Sequence, residues 1–219
     1  MRNASEIAQA HAVPTMQPLN IATGIRAELP AWVLDETADV PGVIPDFEDR
    51  MRLVHRLANR NYKEGNGGPF AALVADSVTG EIISLGVNVV LASGLSSMHA
   101  EVVALSLAQV RIGTWDLGAA GGPKAELVVN WRPCAMCYGA TMWSGVERLV
   151  IAGDGTECEQ LTGFDEGPMR ENWREEFEQR GITVVQDVLR DEAVATFAAY
   201  GGSGALVYNG RQRNSPAAN

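Results

Sequence analysis

Two stretches of the chain decide its organisation: MHAEVVALSLAQV (98–110) and ELVVNWRPCAMC (126–137). The first places His99 at the start of a segment whose apolar residues recur at helical spacing. The second is a β-forming run that is followed by Cys134 and Cys137. Histidine and cysteine are the side chains that zinc prefers, and catalytic zinc sites have three protein ligands and one open position. The two stretches therefore predict a catalytic Zn2+ site formed by His99, Cys134 and Cys137.

The chemistry of this site follows from the positions of the ligands and of one carboxylate. Pro133 precedes Cys134, which is typical of a helix start, and a helix from Cys134 would place both cysteines on one face. The positive end of the helix dipole would favour their thiolate forms. Glu101 is only two residues from His99, which is too close in sequence for both side chains to bind the same metal ion without strain. We therefore predict that the zinc generates a hydroxide near neutral pH and that Glu101 shuttles the proton of the water to the substrate.

Each cluster also has a simpler interpretation when it is considered alone. A lone histidine on a helix is most often a surface or core residue, and a glutamate in a first turn often only stabilises the helix dipole. A C-x-x-C motif is also found in redox proteins and in four-cysteine zinc sites. However, redox motifs lack an upstream H-x-E, and the third cysteine, Cys158, has no neighbouring cysteine with which to form a second pair. The combination therefore favours the catalytic site.

Length and composition indicate one globular domain with appended tails. Of the 219 residues, 46% are hydrophobic and 20% are charged. We see no membrane-spanning run and no secretion signal, and three cysteines do not form a disulfide framework. We therefore expect a cytoplasmic protein without a membrane partner. The proposed domains are an N-terminal arm (1–45), whose first dozen residues are expected to be mobile, a catalytic domain (46–200) and a C-terminal tail (201–219).

The net charge restricts the class of substrate. The formal net charge is −10 and the isoelectric point is about 4.8. Proteins that bind a polynucleotide usually present a basic face, because contacts to phosphates supply much of the affinity. The sequence contains no unbroken run of lysine and arginine. The charge therefore argues against a nucleic acid and favours a small, uncharged substrate.

Hydrophobic periodicity predicts an α/β fold. A helix of more than three turns is expected between the last two strands, so these strands should be parallel and joined by a right-handed crossover. The predicted fold is a three-layer α/β/α sandwich with a mixed five-stranded sheet, in which strands 4 and 5 are parallel. His55, on the first predicted helix, is expected to be structural. The strands are predicted at 70–75, 81–86, 126–131, 148–152 and 182–185, and the helices at 46–62, 99–110, 134–145, 168–180 and 191–200.

With its two clusters at helix starts beside strands, the chain resembles the cytidine deaminase-like superfamily of zinc deaminases, whose signature is H-x-E followed by P-C-x-x-C. The resemblance covers about residues 46–185. Within the superfamily, three further motifs look most like bacterial guanine deaminase. They are GGPF (67–70), GVN (86–88) and GFDE (163–166).

This resemblance implies roles for residues outside the zinc motifs. The ring of Phe70 would contact the bound purine, Asn88 would hydrogen-bond the base, and Glu166 would help to protonate the leaving amine. Trp143 looks like a tryptophan after the cysteine helix in that family and would be a substrate-binding residue, although a buried core position explains it equally well. Glu166 is alternatively an acidic residue that leads into the helix predicted from Pro168. The resemblance also implies a homodimer.

The chain departs from the family pattern close to both zinc motifs. Ser96, Ser97 and Met98 precede H-A-E, and the segment Asn130-Trp131-Arg132 stands where an acidic residue commonly precedes P-C-x-x-C. Trp131 and Arg132 would therefore reshape the base pocket, with Trp131 as a substrate-binding residue.

The sequence thus predicts a zinc-dependent aminohydrolase that releases ammonia from a small aminated purine-like base, guanine or a related heterocycle. Guanosine, triazines, pterins and modified bases remain open as substrates. One alternative is a deaminase of adenosine in tRNA or of another nucleoside. The other is a zinc-stabilised binding protein without catalysis, although such a protein would not need Glu101 beside its metal.

Overall fold

One mixed sheet of five strands forms the centre of the protein in the computed structural model, which describes residues 21–210. The strands are β1 (Ala71–Asp76), β2 (Ile82–Val87), β3 (Ala125–Val129), β4 (Arg148–Ile151) and β5 (Thr183–Val185). Their order is β2-β1-β3-β4-β5. β1 runs antiparallel to β2 and β3, whereas the β3–β4 and β4–β5 pairs are parallel. The predicted mixed sheet with parallel strands 4 and 5 is therefore confirmed.

Helices cover both faces of this sheet. Within residues 21–210 they are α1 (Ala31–Glu36), α2 (Phe47–Asn61), α3 (Val90–Ser93), α4 (Ala100–Ile112), α5 (Ala135–Ser144), α6 (Glu157–Thr162), α7 (Trp173–Glu178) and α8 (Arg190–Gly201). None of these helices combines the length and the apolar character that are needed to cross a bilayer.

Alternating strand residues divide the core into two layers, as expected for a sheet that is buried on both faces. On β1, Leu73 packs in the cluster that includes residues of α2 and α8. Val74 packs in the cluster that includes residues of α4 and α7. The architecture is therefore the predicted three-layer α/β/α sandwich.

A glycine brings the start of α4 against the sheet. A Cβ atom on Gly86 of β2 would lie 2.2 Å from the carbonyl oxygen of Ala100 and 2.5 Å from the backbone nitrogen of Ala104. A larger residue would therefore push α4 away from β2. This close contact holds the N-terminus of α4, where His99 is the N-cap residue, beside the end of the sheet.

A buried ion-pair network ties α2 to the other elements. Glu126 on β3 is fully buried, and its two carboxylate oxygens lie 2.8 Å from Nε of Arg50 and 2.5 Å from Nη2 of Arg148. Arg50 is also buried and donates from Nη1 to the carbonyl oxygen of Ile44 over 2.8 Å. Because an unpaired buried charge is strongly destabilising, this network fixes the relative positions of α2, β3 and β4.

The structure corrects several predicted boundaries. The helix predicted at 168–180 is limited to α7, because the segment before it forms a loop that leads past the zinc motifs. The crossover between β4 and β5 is therefore made by two short helices, α6 and α7, rather than by one long helix. The arm contains α1, which was not predicted, and its expected mobile first dozen residues lie outside the described residues.

Candidate active site

The three predicted metal ligands come together at two helix N-termini. His99 occupies the N-cap position of α4, Cys134 occupies that of α5, and Cys137 lies in the first turn of α5. One potential ligand atom from each residue lies within 4.8 Å of the other two, and Sγ of Cys134 is 3.5 Å from Nδ1 of His99. One imidazole and two thiols in this arrangement fit Zn2+, and they leave a coordination position for a small molecule. We call these three residues the metal cluster.

Electrostatic interactions within the metal cluster favour a thiolate. A hydrogen bond with Cys137 outweighs burial and lowers the pKa of Cys134 to about 4. The same hydrogen bond raises the pKa of Cys137 well above its usual range. Burial opposes ionisation of His99, but its hydrogen bond to Cys134 and the nearby carboxylates raise its pKa. A divalent cation at this position would favour thiolates at both cysteines.

Two carboxylates lie in the same small cavity as His99. This cavity, of about 150 Å³, is lined by both Glu101 and Glu166. Burial raises the pKa of Glu101 to about 7, and the charge on Cys134 adds to this shift. Burial likewise raises the pKa of Glu166 to about 8, with Cys134 and Glu101 as further causes. The predicted positions Phe70, Asn88, His99, Glu101, Trp131 and Glu166 all line this cavity, which we call the base pocket.

Aromatic rings form one wall of the base pocket. Phe70, at the start of β1, lies 5.6 Å from Phe164 between ring centroids in an edge-to-face arrangement. Phe164 in turn lies 4.9 Å from the ring of Tyr208. Such a wall offers apolar surface to a planar heterocycle.

Asn88 presents a donor to the base pocket. Its Oδ1 accepts hydrogen bonds from the hydroxyl of Tyr208 at 2.7 Å and from the backbone N–H of Val90 at 3.2 Å. Because the oxygen is occupied, the NH2 group is the part of the amide that is left for a ligand. Asn61 fixes the backbone around it, since its Nδ2 donates to the carbonyl oxygens of Gly68 and Asn88.

Glu166 is held by a loop rather than by a helix start. Its carbonyl oxygen accepts a hydrogen bond from the backbone N–H of Ala135 at 3.0 Å. The next helix, α7, begins only at Trp173, seven residues later. The alternative interpretation of Glu166 as a residue at a helix start is therefore wrong.

Trp131 and Trp143 have opposite environments. Trp131 is 2% exposed and lines the base pocket. Trp143 lies near the end of α5, is 84% exposed and is not part of the pocket wall. The structure therefore places Trp143 neither in the site of this chain nor in its core, because its side chain lies on the outer face of α5. This corrects both interpretations from the sequence.

The C-terminal segment contributes residues that the sequence analysis did not identify. Tyr208 and Asn209 line the base pocket, and the hydroxyl of Tyr208 also accepts a 2.6 Å hydrogen bond from the backbone N–H of Gly68. The side chain of Asn209 bonds to the backbone of Gly163 and Asp165, both at 2.9 Å. The sequence offered one weak indication of this role: Tyr208 and Asn209 are an aromatic and an amide residue side by side after a glycine-rich turn.

Comparisons with known proteins agree with this geometry. Residues 46–153 match the model of the cytidine and deoxycytidylate deaminase zinc-binding region. The chain is 31% identical over 155 residues to guanine deaminase of Bacillus subtilis, which covers 71% of this chain and 94% of that protein.

Solved structures give the same result. A structure of guanine deaminase from Nitrosomonas europaea has a TM-score of 0.77 and 42% identity, covering 84% of this chain and 99% of the other. A structure of NE0047 in complex with 2,6-diaminopurine has a TM-score of 0.78 and 42% identity, covering 86% and 98% of the two chains.

Proposed function

The chain belongs to the cytidine and deoxycytidylate deaminase family of zinc-dependent deaminases, and on this basis we propose that it hydrolyses a small aminated purine-like base to its oxo product and ammonia. Guanine and closely related amino-heterocycles are the proposed substrates. The observation that carries this proposal is the presence of Glu101 and Glu166 in the same small cavity as His99. A planar base with an amino group fits this arrangement of one metal cluster and two carboxylates.

The metal cluster and Glu101 would activate the attacking water. Zn2+, when bound by the metal cluster, would supply the Lewis acidity that makes water a nucleophile near neutral pH. Glu101 follows His99 by two residues, lines the base pocket and is 6% exposed. Bulk water therefore hardly reaches its carboxylate and does not compete with the substrate for it. One oxygen of this carboxylate takes the proton of the attacking water and delivers it to the ring nitrogen beside the reacting carbon.

Glu166 would complete the proton transfers. The amino group has to leave as ammonia, which requires a second proton on the exocyclic nitrogen. The hydroxyl group that water adds to the reacting carbon releases a proton when the carbon–oxygen double bond forms, and this proton balances the one that leaves with ammonia. The loop that contains Glu166 is attached to the backbone of Ala135, next to the metal ligand Cys134. Glu166 thus approaches from a different segment than Glu101, and the two carboxylates divide the transfers to the ring nitrogen and to the leaving amine.

The remaining pocket residues would hold the base in position. The ring of Phe70 offers its surface to the heterocycle, and the NH2 group of Asn88 donates to an acceptor on its edge. The small cavity of about 150 Å³ suits a free base with one fused ring system, and the net charge of −10 does not favour a polynucleotide.

We also propose that the protein is a homodimer. The exposed residues Met136 and Trp143 lie seven positions apart on α5 and therefore on one face of this helix. The sequence of α5 contains no charged residue. Apolar exposed surface of this kind is typical of an interface. Multi-angle light scattering should give twice the mass of the chain for the wild type and a lower mass for Trp143→Arg.

Ammonia release from a panel of substrates tests the main proposal. The panel contains guanine, guanosine, a triazine, a pterin and tRNA, and zinc content is measured on the same preparation. We expect about one zinc per chain, ammonia from at least one free base, and its loss in Glu101→Gln. Inosine formation in tRNA without turnover of any free base would identify a tRNA deaminase instead. Bound zinc without any turnover would favour the zinc-stabilised binding protein.

A further inference from the structure

The side chain of Asn130 bridges the backbone on both sides of Phe70. Asn130 is fully buried and follows the last residue of β3. Its Nδ2 donates to the carbonyl oxygen of Pro69 over 2.9 Å, and its Oδ1 accepts a hydrogen bond from the backbone N–H of Ala71 over 3.1 Å. Both ends of one amide are therefore bonded to the two residues that flank Phe70 in the chain.

This bridge forms at the point where the main chains of β1 and β3 separate. The last backbone pair between the two strands is Ala72 with Val129, and Asn130 is the next residue along the chain. The main chain then turns toward β4, where the backbone N–H of Arg132 donates to the carbonyl oxygen of Gly153 over 2.8 Å. The side chain of Asn130 thus continues the contact with β1 after the backbone has left it.

Asn130 connects the segment of the metal ligands with residues that would contact the base. Cys134 follows it by four positions. On the other side of the bridge, Phe70 lines the base pocket, and its carbonyl oxygen accepts a 3.1 Å hydrogen bond from the backbone N–H of Asn88. Asn130 itself is not one of the described residues that line the base pocket. Any effect of Asn130 on a bound base would therefore be transmitted through its neighbours.

The ring of Phe70 has little room to move independently of its backbone. A Cβ atom on Gly68 would lie only 3.0 Å from this ring. The ring centroids of Phe164 and Phe197 lie 5.6 and 5.8 Å from that of Phe70. Because the surroundings are closely packed, a shift of the peptide groups at Pro69 and Ala71 would move the ring as well.

We propose that Asn130 is a positioning residue. By fixing the peptide groups on either side of Phe70, it holds the aromatic ring against which the base packs at a set distance from the metal cluster. This inference rests on the proposed deamination of a small base and assigns to Asn130 a part in the affinity for that base. Because the metal cluster and the two carboxylates belong to other segments, loss of the bridge should raise KM more than it lowers kcat.

A purely structural role is the alternative, since many buried polar side chains only stabilise the fold. Ser84 on β2 provides the matched control. It is 9% exposed, and its Oγ donates to the carbonyl oxygen of Ala104 on α4 over 2.6 Å. Like Asn130, Ser84 joins two elements by a buried hydrogen bond to the backbone, but none of its bonds involves a described residue of the base pocket.

The first experiment compares wild type, Asn130→Ser and Ser84→Ala in KM and kcat for guanine, in zinc content and in melting temperature. The hydroxyl of serine takes the place of the amide carbon and is too short to bond to both backbone groups. We expect Asn130→Ser to raise KM by about 10-fold and to change kcat by less than about threefold, with full zinc content. Ser84→Ala should lower only the melting temperature. An unchanged KM in Asn130→Ser, loss of its zinc, or an equal rise of KM in Ser84→Ala would overturn the positioning role.

A double-mutant cycle tests whether Asn130 acts through Phe70. The dissociation constant of radiolabelled guanine is measured by equilibrium dialysis on zinc-loaded Glu101→Gln, which is expected to bind the base without converting it. Asn130→Ser is introduced with and without Phe70→Leu. We expect about 10-fold weaker binding when Phe70 is present and less than about threefold when leucine replaces it. Equal factors in the two backgrounds overturn the inference, because a general structural effect does not depend on the ring.

Failure of this inference can be distinguished from failure of the proposed function. The dialysis experiment requires binding but no turnover, so additive effects, or no binding of guanine, overturn the inference whatever the rate of the wild type. Absence of ammonia release from every base of the panel overturns the proposed function. If Asn130→Ser does not fold, Asn130→Thr takes its place in both experiments, because it has the same short hydroxyl and a methyl group that fills part of the space.

Discussion

The backbone N–H of Ala135 donates a 3.0 Å hydrogen bond to the carbonyl oxygen of Glu166. Ala135 is the first residue of α5 and follows Cys134, so this bond attaches the loop of Glu166 to the helix that carries two metal ligands. It also satisfies one of the backbone N–H groups that a helix leaves free at its start. The position of the second carboxylate is therefore coupled directly to the metal cluster, although 32 residues of sequence separate it from Cys134.

The substitution Glu166→Gln should lower kcat by about 10²-fold or more, because the amide cannot supply the proton for the leaving amine. The backbone bond to Ala135 is unchanged, so zinc content and KM should change little. Glu175→Gln, on the exposed side of α7, is the control with the same chemical change. A variant that keeps its rate and loses only thermal stability would remove Glu166 from the mechanism.

For Glu101→Gln we expect retention of about one zinc per chain and a loss of about 10²- to 10⁴-fold in kcat. Glutamine is nearly isosteric with glutamate, so the fold and the metal cluster should be preserved, but the side chain cannot accept the proton of the attacking water. Elemental analysis and single-turnover kinetics on one preparation measure both quantities. Near-normal turnover with full zinc occupancy would contradict the assigned role.

The metal cluster could be predicted because its residues belong to two short motifs at helix starts. Their approach depends on two strands of one sheet, β2 before α4 and β3 before α5, which lie on either side of β1. Hydrophobic periodicity also predicts these strands. Gly86 shows the same agreement, because its place in the G-x-N motif corresponds to the close contact of β2 with Ala100. Local patterns and the sheet were therefore sufficient for this part of the site.

The C-terminal part of the pocket could not be predicted in the same way. Tyr208 bonds to Gly68, 140 residues earlier in the chain, and no local pattern specifies a contact of this kind. The prediction of a helix that begins at Pro168 was wrong for a related reason. Its polar sequence is compatible with a helix, but the tertiary bond of Glu166 to Ala135 holds the preceding segment in a loop. The exposure of Trp143 could not be predicted either, because the apolar character of a residue does not by itself indicate which face of α5 is covered.

The hydroxyl of Tyr208 should contribute mainly to substrate affinity. Tyr208→Phe removes the bonds to Gly68 and to Oδ1 of Asn88, so the backbone N–H of Val90 is the one donor left to Oδ1 and the amide of Asn88 is held less firmly toward the base. Two neutral hydrogen bonds of about 1 kcal/mol each give an expected increase in KM of up to roughly 30-fold, with a smaller change in kcat. Tyr138→Phe removes a hydroxyl outside the pocket, which lies 3.4 Å from the carbonyl oxygen of Trp173, and should leave KM unchanged. Equal effects of the two substitutions would contradict this role for Tyr208.

The buried network of Glu126 should dominate the stability of the contact between α2 and the sheet. Glu126→Gln leaves Arg50 and Arg148 without their counter-charge, and Arg50 is only 1% exposed. We expect the free energy of unfolding to fall by about 3–5 kcal/mol, measured by urea denaturation. Glu147→Gln breaks the exposed pair with Lys124 and should cost no more than about 1 kcal/mol. Similar losses in the two variants would show that the buried ion pairs contribute no more to the free energy of unfolding than the exposed pair does.

His55 should make the protein less stable in mild acid. The imidazole is 5% exposed on α2, and burial lowers its pKa from 6.5 to about 4, against a smaller opposing effect of the backbone of Leu189. Between pH 6.5 and pH 4, the unfolded chain binds a proton at His55 that the folded chain does not bind. The free energy of unfolding therefore decreases as the pH falls through this window, by up to about 3 kcal/mol in total, and the full contribution is present above pH 6.5. His55→Leu removes the titrating group and keeps an apolar side chain, so the difference in stability between wild type and variant should change by this amount across the window. Urea denaturation at closely spaced pH values gives both curves, and two parallel curves would show that His55 does not titrate differently in the folded and unfolded states.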